Sequence, residues 1–230
     1  MLTTRQQARS AGFLYLLLGV TAPLGLIYVP GKLLVAGNAA ATAENLRRSE
    51  SLLRAGMASE LFHQAVCVFL VLALYRLFKP VDESLARQLV ALGALVSVPI
   101  MFVNVLNEIA AWRLASGTDL LAAFNQQQLD GLAFLFYRLH SQGVIIASIF
   151  WGLWLFPFGR LVIRSGFIPR ILGVLLMLAG AGYLATAFGS LIVPQYAAKI
   201  RLIGGPLQIA ELPIIFWLAI WGAWTPKEQR

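Results

Sequence analysis

Residues Ala55–Phe78 read AGMASELFHQAVCVFLVLALYRLF, and this stretch decides the fold. It is bounded by Arg54 and Lys79, and no charge interrupts it between His63 and Arg76. The hydrocarbon core of a bilayer takes about 20 apolar helical residues to cross, and this run is long enough. Five further runs read the same way: Ser10–Tyr28, Leu89–Ala111, Gly131–Phe156, Ile171–Ile192 and Gly204–Trp224. Each ends at charges, Pro or Gly. The pattern predicts an all-α, polytopic integral membrane helical bundle of six transmembrane helices, as one domain over residues 1–230.

Composition agrees. Of the 230 residues, 59% are hydrophobic and 12% are charged, against roughly 25% charged in soluble domains. A soluble fold of this length has too little interior for that much apolar surface, whereas lipid covers it. The formal charge of +8 sits between the apolar runs rather than on a stripe with interleaved aromatics. It therefore reads as topology-setting and lipid-headgroup charge, with no nucleic-acid partner. The single cysteine, Cys67, forbids an intramolecular disulfide or a CxxC motif and reads as a small buried hydrophobe. Arg5 and Arg9 precede the first run as they would in a signal peptide, but Pro30, Gly31 and Lys32 follow without a small-x-small cleavage site. The run is read as a retained first helix.

Alternating the six spans places Arg5, Arg9, Arg76, Lys79, Arg87, Arg160, Arg164, Arg170, Lys227 and Arg230 on one side. Lys32, Arg47, Arg48, Arg54, Arg113, Lys199 and Arg201 fall on the other. The larger set lies in the shorter connections, so the positive-inside rule puts both termini in the cytoplasm of a bacterial inner membrane. In the longest connection, Thr42–Arg54 has no Pro or Gly, and Ala43, Leu46 and Leu53 share a face. It reads either as an interfacial helix or as a polar helix end protruding into water. Pro99 and Pro213 inside spans predict kinks. Ala181, Ala185 and Gly189, four apart, predict a close-packing face.

The informative feature is charge inside the spans: Glu60 and His63, Glu108, Arg138 and His140, and Glu211. Such residues are costly in lipid and turn toward protein or a wet cavity. With 1.5 Å of rise per residue, their offsets from the span ends put all of them roughly 8–15 Å below one surface, the non-cytoplasmic one. Asn104, Asn107, Gln142 and Gln208 fall in the same half. This predicts one outward-facing polar pocket for a small molecule, ion or lipid, with Arg138 pairing a glutamate and His140 pointing roughly away from Arg138. The competing reading is that these polar residues only hold helices together. Glu60-x-x-His63 puts a carboxylate and an imidazole on one helix face, as in di-iron bundles. Glu60, His63, His140 and Glu211 are therefore candidate metal ligands, with Glu108 able to complete a Zn, Fe or Mn shell. His63 and His140 could instead sandwich a haem. No GxSxG elbow, P-loop or dinucleotide fingerprint is present. An intramembrane, metal-dependent enzyme acting on lipid is the second function class, and an accessory membrane subunit the third. The sequence fixes no cofactor and no oligomeric state.

Several blocks carry a family resemblance: AATAENLRRSESLLRAGMASEL (Ala40–Leu61), LALYRLFKPV (Leu72–Val81), RLHSQG (Arg138–Gly143), RSGFIPRILGVLLMLAGAGYL (Arg164–Leu184) and ELPIIFWL from Glu211. In this order they resemble the bacterial membrane family known as domain of unknown function 4386, and Arg164–Leu184 is the most specific block. The resemblance implies a polytopic helical membrane protein and assigns no catalytic residue. It also implies an aromatic residue where this chain has Gln142, which makes the pocket here more polar.

Overall fold

A computed structural model describes residues 3–117 and 123–224. Lys227 and Arg230, used above for topology, lie outside the described residues. The described chain is helical without strands: α1 (Thr4–Leu33), α2 (Ala39–Arg48), α3 (Glu50–Phe78), α4 (Glu83–Ser116), α5 (Gln126–Ser165), α6 (Arg170–Ile192) and α7 (Pro194–Ile220). All except α2 are long and apolar enough to cross a membrane, giving six spans among the described residues. Most helices overrun the apolar runs, because a helix continues into the headgroup region where polar and charged side chains are at home.

Prolines leave local marks. α1 winds as a π turn over Leu24–Tyr28, between Pro23 and Pro30, and α4 does so over Ala91–Val96, just before Pro99. A proline ring clashes with the carbonyl four residues back and supplies no N–H, so the preceding turn re-registers. In α4 the Gly93 carbonyl accepts from Ser97 Oγ at 2.7 Å and from the Cys67 thiol at 3.6 Å. α5 breaks at Trp154, three residues before Pro157, and a 3₁₀ turn at Ile209–Glu211 precedes Pro213.

The chain forms two compact units. The first comprises Met1–Leu18, Ala65–Pro99 and Ile145–Arg230. Its core stacks Tyr15, Trp154, Phe158 and Phe78, with neighbouring ring centroids 5.6–5.9 Å apart. Glycine allows backbones to touch here: a Cβ on Gly12 would strike the α7 backbone at Leu218 and Ala219. Gly173 and Gly180 of α6 lie against the carbonyls of Gly159 and Gly152, and Gly182 against that of Gly204. The close-packing face is therefore not the expected one. Gly189 does pack, against Ile200, but Ala181 and Ala185 are exposed. Four-residue spacing identified a face of small residues, while the true contacts follow the glycines, whose backbone alone permits that approach.

The second unit comprises Gly19–Gln64 and Ile100–Val144. Residues Thr42–Arg54 are not one helix. α2 starts on the Asn38 side chain, which accepts from Ala41 N at 2.9 Å, and ends at Ser49, whose carbonyl then accepts from Leu53 N to begin α3. Serine is a favoured residue at such a helix start. The apolar face of this segment is covered by protein: Ala43, Leu46 and Leu53 are fully buried with Val29, Leu33 and Ala133. Arg47 anchors α2 through Asp130 at 2.9 Å and the Ala115 carbonyl at 3.2 Å. Its guanidinium, together with that of Arg48, holds the Glu44 carboxyl below the ordinary carboxylate range.

Candidate functional site

Three helices of the second unit converge on one buried group. Glu60 comes from α3, Glu108 from α4 and His140 from α5, each at most 2% exposed. His140 Nε2 lies 3.0 Å from Glu60 Oε2, and Nδ1 lies 3.9 Å from Glu108 Oε1. Each residue offers one donor atom such that all three lie within 4.8 Å of one another.

Local sequence explains the placement. In α4, Met101, Asn104, Val105, Glu108 and Ala111 follow helical spacing and form its buried face, so Glu108 must point inward. Asn104 Nδ2 donates to the His140 carbonyl at 2.9 Å, and Asn107 Nδ2 donates to Asn104 Oδ1 at 3.1 Å. Gly143 gives Asn104 its space, since a Cβ there would strike the Asn104 amide. Glu60 lies under the π turn of α1: a Cβ on Gly25 would sit 2.5 Å from Glu60 Cγ and 3.2 Å from Oε1. The Tyr137 ring stacks on His140, with centroids 6.4 Å apart.

The polar accounting at this site does not close among protein groups. Glu60 Oε1, both carboxylate oxygens of Glu108 and the Tyr137 hydroxyl are buried without a hydrogen-bond partner among the described residues. Burying an uncompensated charge costs several kcal/mol. Two carboxylates flank one imidazole, so full ionisation of the glutamates leaves a negative excess that this cluster cannot neutralise by itself.

The expected residues divide. Glu60, Glu108 and His140 are brought together, and Asn107 supports them through Asn104. Gln142 is half-buried on α5. Arg138 is exposed, and the cation-forming group between the carboxylates is His140. The Arg138–glutamate pair is thus replaced by a His140–glutamate one, because His140 and Tyr137, three apart, face inward while Arg138 turns out. His63 Nδ1 sits 3.2 Å from Thr21 Oγ1, and the imidazole grouped with Glu60 and Glu108 is that of His140. Glu211 belongs to the first unit, where the Tyr15 hydroxyl donates to its Oε1 and Tyr183 also hydrogen-bonds it. Gln208, in the same unit, donates to Thr186 Oγ1 at 2.8 Å. The Ser141 hydroxyl turns onto the Tyr137 carbonyl. Sequence reasoning missed Tyr137 and Gly25. The first was legible as a residue three before His140; the second depends on the π turn, which spacing does not announce.

No curated protein and no solved structure matches the chain. The family model described as Domain of unknown function (DUF4386) matches residues 10–224, the whole run of spans and the Glu60–Glu108–His140 cluster with it, and the chain belongs to that family.

Proposed function

We propose that this protein binds a small cation inside the membrane at Glu60, Glu108 and His140, as a site for holding or moving it. The supporting observation is Glu108: fully buried, with neither carboxylate oxygen hydrogen-bonded, beside a second glutamate with one open oxygen. A carboxylate retained in that state acquires its partner from a ligand, since ionisable residues in a span are by default functional. An anion or an uncharged lipid tail would leave the negative excess standing. The π turn at Leu24–Tyr28 packs on the site where Gly25 covers Glu60, and π turns are recurrent at functional positions. The site faces the non-cytoplasmic side of a bacterial inner membrane, with both termini cytoplasmic, on the Lys and Arg distribution.

The test is thermal unfolding of the full chain in detergent against a panel of cations: protons, alkali, alkaline-earth, transition-metal and organic ammonium. At least one class stabilises the wild type, and the Glu60→Gln, Glu108→Gln double variant loses that response. A ligand at 100 times its Kd adds about 2.7 kcal/mol, enough to read as a melting shift. If no cation stabilises the wild type, or the double variant responds equally, the reading fails.

A further inference from the structure

We propose that the cation is a divalent transition-metal ion, Zn²⁺, Fe²⁺ or Mn²⁺, ligated by Glu60, Glu108 and one imidazole nitrogen of His140, with the Tyr137 phenol beside it. The assignment rests on the cation-site reading and narrows it to one class.

The donor chemistry selects the class. Two carboxylates with an imidazole suit Zn, Fe and Mn, whereas Ca²⁺ and Mg²⁺ prefer oxygen alone. Three protein ligands with a further position open is the arrangement of catalytic rather than structural zinc sites. Geometry is compatible: the donor atoms already lie within 4.8 Å of one another. Ligand bonds of about 2.0–2.2 Å need only modest side-chain closure from there. Charge also fits, since two carboxylates and a neutral imidazole cancel a divalent ion and leave a neutral site in a medium where net charge is expensive.

Protons alone fit less well. Protonating Glu108 would remove its charge, yet no protein hydrogen bond reaches either of its oxygens. A metal ion supplies that partner directly. The second observation is Tyr137. Its hydroxyl is buried and unpartnered, the residue is 1% exposed, and Glu108 and Glu60 are the charged groups acting on it. The phenol is thus a buried polar group on the same helix face as His140 that the protein leaves unpaired among the described residues.

The experiment strips the purified full chain with a chelator and titrates it with Co²⁺ as a visible probe, then with Zn²⁺ as competitor. One Co²⁺ binds per chain, Zn²⁺ displaces it, and both raise the melting temperature reversibly on chelation. His140→Ala and Glu108→Gln weaken binding by more than about 100-fold, beyond what losing a merely supporting group costs. His63→Ala leaves stoichiometry and affinity unchanged. Should the ligand variants fail to fold, the wild-type spectrum and the chelator-reversible melting shift still decide. A wild type that shows neither, or ligand variants that bind as well as it does, overturns the assignment. Stabilisation by another cation, dependent on Glu60 and Glu108, would sink the metal while sparing the broader reading; no response to any cation removes both.

Discussion

Two glutamates lie within apolar spans and meet opposite surroundings. In the first unit, Glu211 is engaged by the hydroxyls of Tyr15 and Tyr183. In the second, Glu108 has an imidazole nitrogen at 3.9 Å and no hydrogen bond among the described residues. Both carry the same carboxyl group in a setting that penalises charge. Phenols satisfy the first. The second has no hydrogen-bond partner for either oxygen among the described residues, which is the observation the proposed cation site rests on. Two buried glutamates of the same kind are thus distinguished by their hydrogen-bond partners.

The sharpest way to break this contrast is to replace both carboxyls by a hydrocarbon of similar size. Glu108→Met removes a buried carboxyl that no hydrogen bond holds and leaves the Glu60–His140 pair in place, so it should be near neutral or stabilising. Glu211→Met instead strands two phenols, costing about 1–3 kcal/mol for each donor left unpaired. Thermal unfolding of the chelated proteins in detergent should therefore shift in opposite directions. Shifts of the same sign and size would mean that the two sites differ less than their hydrogen bonds indicate. The milder Tyr15→Phe, which leaves Glu211 one phenol, should fall between wild type and Glu211→Met.

A smaller effect separates the units through their glycines. Gly12→Ala sets a methyl against the α7 backbone at Leu218 and Ala219, which cannot yield without moving a helix. Overpacking of that kind costs about 1–3 kcal/mol. Gly143→Ala presses first on the Asn104 side chain, the group that holds the His140 carbonyl. It should lose less stability but weaken the cation response, read as a smaller ligand-induced melting shift. Equal stability losses with an unchanged cation response would show that Asn104 does not position His140.

The spans were legible because their signal is additive: twenty apolar residues outweigh any local irregularity. Glu60, Glu108 and His140 were legible as a depth coincidence, since rise per residue converts sequence offset into height. Height does not give azimuth. His63 and Arg138 share the depth of the cluster, yet one bonds Thr21 and the other is exposed. Glu211 likewise had a plausible depth and turned out to have tyrosine partners far away in sequence, which no local pattern encodes. The break at Ser49 was hidden for a different reason: every residue from Thr42 to Arg54 tolerates a helix, and what ends α2 is its docking through Arg47 and Asp130.

The smallest expected effect concerns a carboxylate outside the spans, where water and a cation do what phenols do for Glu211. Asp82 caps the start of α4, accepting from Leu85 N at 3.0 Å, and pairs with Arg164. The Leu85 amide and then the Arg164 guanidinium hold its carboxyl below the ordinary 3.8. A depressed folded value means the contribution is full above the unfolded pKa and fades as pH falls through the folded one. Wild-type stability should therefore drop slightly on acidification below about pH 4. Asp82→Asn keeps an acceptor for the Leu85 amide, cannot titrate and loses the Arg164 charge pair. The variant should start slightly less stable near neutrality and converge on the wild type in acid. Parallel melting curves across that range would show that Asp82 is no more favourably placed folded than unfolded. The stabilisation would then come from the cap alone, a hydrogen bond that asparagine makes as well as aspartate.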